Sequence, residues 1–303
     1  MATDGDNYYL TRINLVLNHI REHLTDDLSL DALADVAGFS PFHFHRLFTT
    51  LTDETVHQCV LRLRLERAAA LLKADPTLAI GDAAAQCGFE SGSVFSRAFK
   101  RHYGLTARAW DRQAPLKNSK NGQILDGFPR YTVEHLRDLG HEEGFQVYIR
   151  EQQPQRLAYI RLMNSYNSVD ALIKAYDRLL AWYVARGGRL SATTVIGMSQ
   201  DDPEVTPLKL CRYDICLTVP DDWRGEGEVE TRIMPACHLA YVRCVGDIFV
   251  VDRGWQYLYR GWLPRSRYVP DNLPAMEVYR RRPDEIGWET YDLEATLPVC
   301  ALG

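Results

Sequence analysis

No apolar run in this chain approaches the roughly 18 to 20 residues that a membrane helix needs, so nothing in it reads as a membrane span. Its first residues, Met1 to Asn7, are acidic and polar rather than signal-like. The seven cysteines are odd in number, scattered and without a Cys-x-x-Cys pair. That spacing sets aside a disulfide framework and fits reduced, buried thiols, which places the expected location in the cytoplasm. A basic surplus is missing too. With 35 Lys and Arg against 40 Asp and Glu the net charge is −5, which excludes binding to nucleic acid through a general basic surface. What remains is an ordinary globular composition, 46% apolar and 25% charged, in 303 residues. That length is about twice the usual domain size, so two domains are expected.

Charge distribution says more than its sum. From Met1 to Gln113 there are 12 Lys and Arg and 14 Asp and Glu. Yet no acid lies between Ser40 and Thr52, and none between Ser91 and Trp110, where Arg97, Lys100, Arg101 and Arg108 sit. Two acid-free stripes on a mildly acidic body can still meet phosphate.

Those stripes belong to an internal repeat. Ala37-Gly38-Phe39-Ser40 returns as Cys87-Gly88-Phe89 followed by Glu90-Ser91, and Phe44, Arg46 and Phe48 return as Phe95, Arg97 and Phe99. In the first copy Ser29 can cap a helix carrying Leu30, Leu33, Ala34 and Ala37, and Gly38 ends it. Ser40 and Pro41 then open a second helix. Phe44, Leu47, Phe48 and Leu51 fall on one face of that helix, and Phe42, His45, Arg46 and Thr49 on the other. The second copy repeats the plan, with Ile80, Ala83, Ala84 and Cys87 supporting, and Ser93, Ser96, Arg97 and Lys100 facing outward. A helical pattern from Val56 to Leu72, ending near Asp75-Pro76, would hold the two apart. Helix, glycine turn, helix is the unit that presents a helix to the major groove, and two such helices about 34 Å apart would reach successive grooves. An all-α bundle without DNA contact is the bland alternative; the paired outward arginines argue against it.

The order Ser-Leu-x-x-Leu-Ala-x-x-Ala-Gly-Phe-Ser from Ser29, with Phe99-Lys100-Arg101-His102-Tyr103-Gly104-Leu105-Thr106 closing the second copy, resembles the AraC/XylS-type DNA-binding domain over about residues 8 to 112. The resemblance implies base-reading helices at Pro41–Thr50 and Gly92–Arg101. The candidate DNA-binding residues are therefore Phe42, His43, His45, Arg46, Ser93, Ser96, Arg97 and Lys100. Ala107 stands where the family has proline, in a late turn. His19-Ile20-Arg21-Glu22-His23 matches an inverted zinc-protease spacing, but Ile13, Leu17, Ile20 and Leu24 already form the buried stripe and no third ligand lies nearby. No metal and no cofactor are expected.

Residues 114–144 turn polar and glycine-rich, with one helical piece around Val133 to Leu139, and read as a linker between domains at 1–113 and 145–303. The second domain repeats with a period near 80. Leu157-Ala158-Tyr159-Ile160-Arg161 matches Leu239-Ala240-Tyr241-Val242-Arg243, Pro203 matches Pro283, and Tyr213-Asp214 matches Tyr291-Asp292. Each half reads strand, helix (Val169–Arg186; Val250–Trp262), strand, strand, giving an α+β domain of two pseudo-symmetric halves with a cleft where they meet. The halves differ where Glu277 replaces Gly197 and Tyr279 replaces Ser199. An acid in an apolar strand is costly without a partner; a ligand would supply one, or else Arg280 or Arg243.

This half, through Gln155-Arg156-Leu157-Ala158-Tyr159, Arg212-Tyr213-Asp214-Ile215-Cys216 and Glu277-Val278-Tyr279, resembles the GyrI-like effector-binding domain over about residues 145 to 300. The resemblance implies that Glu277 contacts a cationic or amphipathic ligand, with Tyr166, Trp255 and Tyr279 lining the cleft. Where that family has Gly-Pro-Tyr, this chain has Asn164-Ser165-Tyr166 and Val245-Gly246-Asp247-Ile248. The whole then reads as a non-enzymatic, ligand-responsive transcription regulator. Its partners would be double-stranded promoter DNA, a small-molecule effector and RNA polymerase, with no membrane partner, and either a monomer or a homodimer is open. The alternatives are hydrolysis with Glu277 as acid/base, or a constitutive regulator whose second domain docks protein.

Overall fold

In the computed structural model, residues 4–75, 77–110, 135, 136, 138, 144–203 and 206–301 are described. The chain divides into two compact units, Met1–Asn118 and Ser119–Gly303. Of the segment read as a linker only 135, 136, 138 and 144 are described, and the first three are helical, within the piece expected around Val133 to Leu139.

The first unit is helical: α1 Asp4–Glu22, α2 Leu30–Ala37, α3 Pro41–Thr52, α4 Val56–Ala74, α5 Ile80–Gln86 and α6 Gly92–Tyr103. Its local signals act as the sequence suggests. Ser29, Ser40 and Ser91 each accept a hydrogen bond from the backbone amide three residues on, which satisfies one of the donors left open at a helix start. Ala79 offers α5 no such cap. Gly88 is held twice over. Its φ is +75°, and a β-carbon there would sit 2.5 Å from the Leu24 carbonyl. The same carbonyl accepts from Arg64 Nε at 2.8 Å, so α4 and the turn before α6 both close on the segment that follows α1. Helix α4 is buried on most sides, and the buried Arg62 within it bridges Glu54 (2.5 Å) and Glu66 (3.2 Å). Removing one member would strand a buried charge, at about 3–5 kcal/mol.

The second unit is a sheet with two helices on one face. Its described strands are β1 Tyr148–Gln152, β2 Gln155–Met163, β3 Val195–Ser199, β4 Arg212–Thr218, β5 Glu230–Met234, β6 Cys237–Gly246, β7 Tyr268–Pro270, β8 Ala275–Tyr279 and β9 Tyr291–Ala301. Helix α7 spans Val169–Ala185, and α8 spans Ile248–Gln256 before passing into a π-helical turn, Tyr257–Trp262. The order is β1-β6-β9-β8-β3-β4-β2-β5, with β7 beside β9, and every pairing is antiparallel.

Each half does contain strand, helix, strand, strand, but it also has a leading strand that the sequence reading lacked. These leaders are exchanged: β1 precedes β2 yet pairs with β6, and β5 precedes β6 yet pairs with β2. A two-residue connection thus joins strands at opposite ends of the order, which forces the sheet to curl. Leu157, Ile196, Met198, Cys216, Met234, Leu239 and Met276 pack together inside the curl. The helices cover the other face, where Gly254 of α8 lies against Cys244 and Val242 of β6.

At the centre β3 pairs with β8, and Gly197 lies opposite Glu277. These two are also counterparts in the repeat. A pseudo-two-fold axis therefore runs between them.

Candidate functional sites

Helices α3 and α6 present the proposed reading faces. Phe44 and Phe48 on α3, and Phe95, Ala98 and Phe99 on α6, are buried, so the opposite faces turn outward by the 3.6-residue period. Phe42 is 74% exposed, with the Arg46 guanidinium 5.8 Å from its ring centre. His45, Ser93, Ser96, Arg97 and Lys100 are exposed as well. Arg97 Nε donates to the Ser93 carbonyl at 3.4 Å. His43 is exposed but rests against Phe39 and Tyr9, with ring centres 5.1 and 5.8 Å away, so it is tied to α1 more than its neighbours are. Thr49, assigned to the outward face, instead tucks its hydroxyl inside. Val94, 43% exposed on α6, is an apolar contact point the sequence reading passed over. His19 and His23 stack at 4.2 Å, and among the described residues no group of three metal-ligating side chains exists.

The second site gathers at the axis. Glu277 and Tyr279 share a face of β8, as alternation requires. Glu277 is half-buried and accepts from Tyr213 Oη at 2.7 Å on one oxygen and from Trp255 Nε1 at 3.4 Å on the other. The arginines offered as its partners are engaged elsewhere: Arg280 with Glu294, and Arg243 with Asp292. Strand geometry explains this, because Glu294 is opposite Val278 and Arg243, on the face away from Glu277. No cation pairs with Glu277 among the described residues. Burial raises its carboxyl pKa above the usual range, and the two donors only partly offset that.

Four tyrosines and a tryptophan surround the acid. Tyr279 is buried close to Tyr213; desolvation, then the nearby Glu277 charge, pushes both phenols well up. Tyr291 shifts the same way for the same causes. Tyr166 sits in a 3-10 turn, Ser165–Asn167, 36% exposed. Its phenol is also raised, by desolvation first and then by Cys211 and Glu277. From the sequence, Tyr213 and Tyr291 stand out only as matching positions of the repeat. As counterparts across the axis they flank one acid, and the repeat itself was the signal for them.

Gly197 makes the arrangement possible. A β-carbon there would overlap the Tyr213 hydroxyl and come within 3.2 Å of a Glu277 oxygen. Glycine in one half thus leaves the space that the acid of the other half and its phenol donor occupy.

Comparison with known proteins gives two separate matches along the chain. A GyrI-like small molecule binding domain matches residues 145–299, and a helix-turn-helix domain matches 33–113. The probable transcriptional regulator LumQ of Photobacterium leiognathi is 39% identical over 103 residues, which is 33% of this chain and 41% of LumQ. The uncharacterized HTH-type transcriptional regulator YbfP of Bacillus subtilis (strain 168) is 35% identical over 193 residues, 59% of this chain and 65% of YbfP. The chain therefore spans less than two thirds of the length of these curated relatives. Among solved structures, the C-terminal domain of EcmrR matches with 17% identity and a TM-score of 0.44, covering 52% of this chain and 98% of that one. The chain belongs to the GyrI-like small-molecule-binding family and carries an AraC-type helix-turn-helix domain ahead of that fold.

Proposed function

We propose that this chain is a ligand-responsive transcription regulator. Residues 1–113 bind double-stranded promoter DNA through α3 and α6, 114–144 link, and 145–303 sense an amphipathic cation at Glu277. RNA polymerase is the partner on which such a regulator acts. The observation that carries the sensing half is a half-buried carboxylate, ringed by Tyr166, Tyr213, Tyr279, Tyr291 and Trp255, without a cationic partner among the described residues. A cationic head would regain the Coulomb energy that burial withholds, and aromatic faces would hold its apolar part. The effector changes DNA binding only as far as it binds the two functional states unequally.

The relatives named above are called transcriptional regulators, which supports a non-enzymatic role. A raised carboxyl pKa would also suit a general acid, but the hydroxyl beside it, Tyr213, is a phenol that burial and the Glu277 charge keep protonated, which makes it a poor nucleophile.

The test is selection of bound DNA from a random pool, with and without decyltrimethylammonium. Enrichment of one two-part motif, with recovery altered by the cation in the parent chain and not in Glu277→Gln, is the expected result. A pool that stays random removes the DNA assignment; an unaltered response in Glu277→Gln removes the site.

A further inference from the structure

Of the aromatic residues around Glu277, Tyr166 reaches solvent furthest, at 36% exposed; Tyr213, Trp255 and Tyr291 are half-buried and Tyr279 is buried. It is still close enough to Glu277 and Cys211 for both to raise its phenol. A ring with so little packed against it is only as fixed as the backbone that carries it.

That backbone is held from two directions. Asn164 lies in the left-handed region, at φ +50° and ψ +48°, a conformation costly to most L-residues and tolerated by asparagine. Counting from the matched Tyr159 and Tyr241, its counterpart is Gly246, also at positive φ, +147°, so both halves need a residue that accepts positive φ here. Ser165 then donates twice to the Cys211 carbonyl, from its amide at 3.0 Å and from its hydroxyl at 3.2 Å. The anchor is itself firm. Cys211 is fully buried, its amide donates to the Leu208 carbonyl at 3.1 Å, and the adjoining Arg212 pairs with Asp201 at 2.6 Å, both buried. One residue further, Tyr213 donates to Glu277 at 2.7 Å. The stretch from Cys211 to Tyr213 therefore fixes the donor to the acid and, through Ser165, the turn that carries Tyr166. In the other half Ile248 takes the place of Tyr166, so this wall of the cleft is aromatic on one side of the axis.

We propose that Asn164 and Ser165 are positioning residues of the cation site: they hold Tyr166 as an aromatic wall beside Glu277 before any ligand arrives. The proposal rests on the Glu277 reading above. A ring already in place spares the ligand the entropy of ordering it, and its face adds to the pull of the carboxylate on a cationic head. Neither residue needs to touch the ligand, since both act through Tyr166.

Calorimetric titration of the full chain with decyltrimethylammonium tests this. Ser165→Ala should weaken binding by about threefold or more. Asn164→Val, whose branched side chain disfavours the left-handed region, should weaken it by roughly tenfold. Ser165→Thr keeps the hydroxyl and Asn164→Gly keeps the conformation, so both should stay within about twofold of the parent. In a Tyr166→Ala chain, itself weaker than the parent, neither Ser165→Ala nor Asn164→Val should cost anything more. That non-additivity separates positioning from a general loss of structure. Parent-like affinity in Tyr166→Ala, or in both turn variants, with binding still lost in Glu277→Gln, overturns this proposal and leaves the Glu277 site standing. Undiminished losses in the Tyr166→Ala chain overturn it as well. A parent chain that does not bind the cation removes the site and the proposal together.

Discussion

Glu277 shows what a single desolvated carboxylate costs the fold around it. Its folded-state pKa is raised, so between the unfolded and the folded values the native state binds more protons, and stability falls as pH rises through that window. Above that window the desolvated carboxylate opposes folding in full. Glu277→Gln removes the charge; its amide oxygen can take the Trp255 N–H while its NH2 donates to the Tyr213 hydroxyl, and we expect its melting temperature at pH 7 to rise by roughly 2–4 °C, about 1 kcal/mol for a domain of this size. The difference should vanish below the unfolded carboxyl pKa, and a melting series against pH measures it. Affinity for decyltrimethylammonium should run the other way and be lost as the carboxylate protonates. On the DNA side, Arg46→Ala and Arg97→Ala should each weaken specific binding by roughly 1–3 kcal/mol in footprinting titrations. The acid itself was legible in the sequence because a lone carboxylate in an apolar strand is anomalous. Its donor Tyr213 was not, since which side chain meets it depends on register across β4, β3 and β8.

At the scale of elements, the helical repeat was readable because its determinants are local: Ser29, Ser40 and Ser91 cap within one turn, and apolar spacing alone orients α3 and α6. The sheet was readable only in part. Strand exchange by β1 and β5 is a long-range pairing that alternation cannot specify. Two repeat-related ion pairs show how burial separates chemically equal contacts. Arg161 and Asp214 are fully buried at 2.7 Å, with Gln200 also donating to Asp214, while the matching Arg243 is exposed and meets Asp292 at 3.1 Å. Arg161→Ala should cost about 3–5 kcal/mol and Arg243→Ala less than about 1, read as shifts in the urea midpoint. Gly197→Ala should drive Tyr213 away from Glu277. We expect a loss of about 1–3 kcal/mol and a markedly weaker response to the cation in the same titration.

For the molecule as a whole, charge placement matters more than charge sum. As the DNA-binding chain proposed above, an acidic molecule with five exposed cations along its two stripes (Arg46, Arg97, Lys100, Arg101 and Arg108) should show only a modest salt dependence. If each meets one phosphate, the slope of log K against log salt should be about −4 to −5. A much steeper slope would require cations elsewhere on the chain. The pseudo-two-fold between Gly197 and Glu277 has a further consequence. Duplication gives two copies of everything away from the axis, but a position at the axis faces only its own counterpart, and here one counterpart is glycine. The acid is therefore single, and the cleft has no twin. Titration with the cation should saturate at one equivalent per chain, with a Hill coefficient of one unless separate chains associate.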